Sequence, residues 1–102
     1  MADVAEIVAA VKDNAASDYV GIWEIHSMLK EDFGADAATP AQIVAVVRQL
    51  LASGGFVLGQ FQGLDFREWL GGAAEQLAKL EAELSSLGHS PGIGEAAWIA
   101  KR

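Results

Sequence analysis

His26 and His89 are the chain's only imidazoles, and it contains no cysteine. A metal site built on a helix needs ligands at a spacing that puts them on one face, such as i, i+4. Glu24 and Asp32 lie nearby in sequence to His26, and neither stands at that spacing. His89 lies among Gly, Ser and Pro, the composition of a solvated loop. Without cysteine there is no thiolate nucleophile, no disulfide and no Cys-based zinc site. Ser27 follows His26 directly, but consecutive helical residues point in different directions. Gly92-Ile93-Gly94 is too short for a dinucleotide-binding loop and does not follow a strand. Its glycines suit a tight turn that returns Trp98 to the body. Asp65, Glu75, Glu81 and Glu83 read as a solvated acidic face, useful for solubility or for meeting a basic partner. The expectation is a non-enzyme with no catalytic residue, no cofactor and no metal.

The elements that would position any site begin with a first helix. Asp3-Val4-Ala5-Glu6 resembles a capping box, and Val4, Ile7, Val8 and Val11 share one helical face. Tyr19-Val20-Gly21 is a short extended candidate. A second helix runs from about Ile22 to Phe33 and stops at Gly34, with Ile22, Ile25, Leu29 and Phe33 as its inner stripe. Thr39-Pro40-Ala41-Gln42 is the clearest start signal in the chain and opens a third helix over Pro40 to Ala52. Two strands follow, Phe56 to Phe61 and Leu64 to Trp69. They are joined at Gln62-Gly63, with Leu64 and Phe66 expected inward and Asp65 and Arg67 outward. A last helix, about Gly72 to Leu87, carries Glu75 and Lys79 as an i, i+4 pair. Glu95 to Arg102 closes the chain as a strand or a helical turn.

At 102 residues the chain is expected to be one domain with one modest core. Residues 3–69 would form the core and hairpin, and residues 70–102 the C-terminal helix and tail. The fold class is α+β, mainly α. No apolar run approaches the roughly 20 residues that span a bilayer. Asp3 and Glu6 replace the basic start of a signal peptide, so a cytoplasmic protein without membrane contact is expected.

Helix, short strand, two helices and a hairpin is the order of a winged helix-turn-helix. The passage Leu50-Leu51-Ala52-Ser53-Gly54-Gly55-Phe56-Val57 resembles the way such proteins leave the third helix for a two-stranded wing. The resemblance covers about residues 3 to 69 and implies a three-helix core with a wing. Over about residues 61 to 98 the chain also resembles a group of small uncharacterised bacterial proteins. The shared phrase is an aromatic wing ending at Trp69, an acidic helix, Leu87-Gly88, then Pro91-Gly92-Ile93-Gly94-Glu95 and Trp98. That second resemblance implies no activity.

DNA-binding winged helices place the third helix in the major groove and grip phosphates around it. Between Asp36 and Asp65 this chain has one charged residue, Arg48, and its formal net charge is −7. One arginine is too few for a duplex contact, which neutralises several phosphates. Nucleic acid is therefore not the expected partner. Ala41, Ala45, Gln49 and Ala52 would give the third helix an uncharged outer face suited to protein. The candidate partner contacts are Trp23, Gln42, Ala45, Arg48, Gln49 and Phe61. Leu70, Leu77 and Leu84, with Leu80 and Leu87, repeat every seven residues. Leu77, Leu80, Leu84 and Leu87 are thus a candidate dimer seam, or else pack on the first helix and hairpin of the same chain. The expected function is a self-associating or protein-binding interaction module. The alternatives are a DNA-binding regulator that acts as a dimer, and an acidic DNA mimic or immunity-type inhibitor.

Overall fold

The computed structural model describes residues 4–92 and 95–101. Its elements are α1 (Val4–Ala15), β1 (Val20–Gly21), α2 (Ile22–Phe33), a 3-10 turn (Ala35–Ala37), α3 (Pro40–Ala52), β2 (Phe56–Gln62), β3 (Asp65–Glu68), α4 (Ala73–Leu87) and β4 (Trp98–Lys101). The fold is α+β. Asp3 of the expected capping box lies outside the described residues, as do Ile93, Gly94 and Arg102. Among the described residues no helix is long and apolar enough to cross a membrane.

Local signals set the helix bounds. Thr39 Oγ1 accepts from the Gln42 backbone N–H at 3.2 Å, and Pro40 occupies the first turn of α3. Removing that cap with Thr39→Ala is expected to cost about 1 kcal/mol, read as a lower urea midpoint at unchanged slope. At the start of α2 the Gly21 N–H donates to the Glu24 carboxylate at 2.7 Å. The acidic group there also complements the positive end of the helix dipole.

α3 is the centre of the core, packed by α1 on one flank and α4 on the other. Ile43, Val44, Val46, Val47, Leu50 and Leu51 are all buried. Lys79 does not pair with Glu75 as its spacing suggested. Its ammonium lies 4.6 Å from the centroid of the Trp69 ring, a cation–π contact, and the Glu75 carboxylate turns back against Gly71.

The sheet is antiparallel with strand order β1-β4-β2-β3. The closing segment is therefore a strand, and an interior one. β4 pairs Ile99 with Val20 on one side and with Leu58 on the other. The division into a core of residues 3–69 and an appended tail does not hold, because β4 separates β1 from the hairpin. The hairpin turns at Gly63-Leu64, one residue later than expected, since Gln62 pairs with Asp65. Gly63 has φ +64°, as the first central residue of a type II′ turn requires.

Side-chain alternation assigns the two faces of the sheet. Leu58, Ile99 and Val20 join the main core, as does Trp69 just beyond β3. Since strand residues alternate faces, Val57, Gly59, Phe61, Phe66, Trp98 and Ala100 take the opposite face. Phe66 therefore does not point inward as expected, and Leu64, in the turn, is 98% exposed. Trp69 occupies the core position, and a period of two excludes Phe66 from the same side.

Among the described residues, one polar side chain is built into this core. Gln76 of α4 is 3% exposed. Its Oε1 accepts from the Leu58 N–H at 3.0 Å, and its Nε2 donates to the Trp69 carbonyl at 2.9 Å. The Trp69 N–H reaches the Leu58 carbonyl directly, at 2.8 Å. The carboxamide is thus spliced into the end of the β2–β3 ladder in place of the second direct bond. It satisfies two backbone groups that burial would otherwise leave unpaired.

Candidate interaction surface

On the sheet face turned away from α3, four rings make one cluster. Phe61 stands edge-on to Tyr19 at 4.9 Å, to Trp98 at 5.3 Å and to Phe66 at 5.6 Å between centroids, and Tyr19 lies 5.0 Å from Phe66. Edge-to-face geometry at these separations is favourable. The strands dictate the grouping: Phe61 and Phe66 are cross-strand partners in β2 and β3, and Trp98 pairs with Gly59 in β4. Tyr19 leads into β1, where Gly21 pairs with Trp98. The cluster is incompletely covered. Tyr19 is 41% exposed and the other three rings are half-buried.

Next to the rings lies an open hollow of about 370 Å³. Val57 and Ala100 form its floor, Tyr19 and Phe66 stand at its side, and Ser17, Asp18, Glu68 and Lys101 complete the rim. The floor residues are buried but lie outside the main hydrophobic core. The hollow thus combines an apolar floor with a polar rim that carries three charged side chains, Asp18, Glu68 and Lys101.

The six candidate contacts divide between two places. Phe61 belongs to the ring cluster, and half-buried Trp23 adjoins it. A Cβ at Gly21 would lie 2.5 Å from Trp23 Nε1 and 3.4 Å from the Trp98 ring, so glycine lets the two indoles approach the same strand. Trp23 Nε1 is buried without a hydrogen-bond partner. Gln42, Ala45, Arg48 and Gln49 lie on α3 instead. α3 packs on the Leu58 side of β2, whereas Phe61 faces the other way. Arg48 and Gln49 are exposed, and Gln42 and Ala45 half-buried, in a narrow stripe between buried flanks. The structure does not bring α3 and Phe61 into one surface.

The leucine seam is corrected. Leu80 is 0% exposed and Leu84 4%, both within the chain's own core, and Leu77 and Leu87 pack partly buried against it. Leu70 precedes α4 and is 93% exposed, so it is not part of a helical row. Seven-residue spacing recurs on any helix with one buried face, and here that face is consumed by α3.

The sequence pattern did not mark out Tyr19, Trp98 or the floor residues Val57 and Ala100 as surface, and it placed Phe66 inward. The available signal was the parity of Val57, Gly59 and Phe61 against Leu58.

Among the described residues no group of three His, Cys, Asp or Glu side chains converges as a metal site would. His26 is half-buried on α2. The His89 side chain is 60% exposed, with Nε2 3.6 Å from a Glu95 carboxylate oxygen and Nδ1 2.7 Å from the Ser90 carbonyl. That carboxylate also accepts from the Gly92 N–H at 2.7 Å. In comparisons with known proteins, no family model, no curated protein and no solved structure matches this chain.

Proposed function

We propose that this chain is a non-enzymatic protein-interaction module, winged-helix-like in element order, that meets protein through the open face of its sheet. The observation that carries the reading is the four-ring cluster beside its hollow. Aromatic side chains left half-exposed together on one face are the composition of a binding surface rather than of solvated sheet.

The rest of the molecule supports the same choice. Three helices followed by a hairpin keep the winged-helix order, although β4 stands between β1 and the hairpin. The helix that would enter a major groove has both flanks packed by α1 and α4. It offers solvent a stripe with Arg48 as its only cation. Base and phosphate contacts both call for more.

Generic duplex DNA titrated at falling salt tests the reading. The expected result is no binding at micromolar protein in about 50 mM salt. Micromolar affinity, with a salt slope corresponding to several phosphates, would overturn it in favour of a DNA-binding regulator.

A further inference from the structure

The open sheet face carries both a ridge and a hollow, and the two lie side by side. Tyr19 and Phe66 form the ridge, and Val57 and Ala100 floor the hollow next to it. A two-fold interface uses the same patch on both subunits, so that patch must be complementary to itself. We propose that the occupant of this face is a second copy of the chain, each copy seating its Tyr19–Phe66 ridge over the other's hollow. The proposal rests on the reading of this face as the interaction surface.

Charge decides between a second copy and a basic partner. The chain has 14 acidic and 7 basic residues, and a basic partner would call for carboxylates ringed around the hollow. The rim instead mixes Asp18 and Glu68 with Lys101. Exposed carboxylates stand elsewhere, on α1 (Glu6, Asp13), α2 (Glu31, Asp32) and α4 (Glu75, Glu81).

Area sets the strength. With two residues in β1, four in β3, four in β4 and seven in β2, at about 3.3 Å by 4.8 Å each, the strands define a face of about 270 Å². In projection that is about a third of the roughly 800 Å² per partner that a standard stable interface buries. The pairing is accordingly weak and transient.

Sedimentation of the full chain from about 5 µM to about 1 mM tests this, and the expected result is a reversible monomer–dimer equilibrium. Tyr19→Asp puts a charge on the ridge and is expected to weaken the dimer at least tenfold. Ser17→Arg fills the hollow from an exposed position, which keeps the test valid should the tyrosine change disturb folding, and is expected to act likewise. Gln49→Glu on α3 should leave the equilibrium unchanged. A monomer throughout the range overturns the pairing, as does a dimer that responds to Gln49→Glu but to neither sheet-face variant. Duplex binding tests the interaction-module reading separately. A monomer that ignores DNA removes only the second copy, whereas one that binds DNA removes both.

Discussion

Gln76→Leu is expected to lower the unfolding free energy by about 3 kcal/mol, although leucine nearly matches glutamine in volume and is more apolar. The Leu58 N–H and the Trp69 carbonyl would lose their partner in a site where Gln76 itself is 3% exposed. Each buried polar group left unpaired costs about 1–3 kcal/mol. For a domain of this size that lowers the melting temperature by about 15 °C, readily seen by circular dichroism. Gln76→Glu separates hydrogen bonding from packing. A carboxylate still accepts from the Leu58 N–H, but only the protonated form donates to the Trp69 carbonyl. The carboxyl's folded pKa would therefore be raised, and the stability it supplies is present at low pH and lost as pH rises. Measured against wild type at each pH, the variant should be closer to normal near pH 4 than near pH 7. A pH-independent deficit would reduce Gln76 to a packing residue.

The second large effect is expected at Gly59, which lies between β3 and β4 and pairs with both. A Cβ there would collide with the Arg67 carbonyl oxygen and lie 2.6 Å from Phe66 Cζ. The carbonyl belongs to the neighbouring strand and cannot rotate away as a flexible side chain could. Overpacking of this kind costs about 1–3 kcal/mol and occasionally more. Gly59→Ala is expected at the upper end, since relief requires β3 to move and the Phe66 ring to leave the cluster. Gly54→Ala is the contrast, because its Cβ meets nothing within 4 Å and only its φ of +79° is unfavourable. Urea denaturation should rank the losses Gly59→Ala above Gly54→Ala. Equal losses would mean that the strand accommodates the methyl group, and that the close approach of Phe66 is not what glycine provides.

These two positions also mark how far the sequence could be read. Helix bounds were legible because their signals are local: Gly34 ends α2, and Thr39-Pro40 begins α3. The hairpin was legible for the same reason, to within one residue at its turn. The place of β4 was not, because pairing Ile99 with Val20 joins opposite ends of the chain and no neighbouring residue encodes it. Gln76 carried no apolar signal of its own, yet it stands four residues before Leu80 and eight before Leu84, on the same buried stripe. The leucine rows misled because burial within the chain and burial between chains leave one sequence pattern. Phe61 and Trp23 were grouped with residues of α3, and the structure places Phe61 on the side of the sheet turned away from that helix. Which face of a hairpin is covered depends on what packs beneath it, and Leu58 and Trp69 take that side here.

The proposed interaction surface is the open face of the sheet and not α3. Amide chemical shifts of the labelled chain, followed as protein concentration rises to about 1 mM, report directly where copies meet. The shifts are expected to concentrate at residues 17–21, 57–68 and 98–101, with the Tyr19 and Phe66 amides moving together along one saturation curve. Shifts confined to the α3 stripe of Ala41, Ala45, Arg48, Gln49 and Ala52, with the sheet face unmoved, would contradict the central claim.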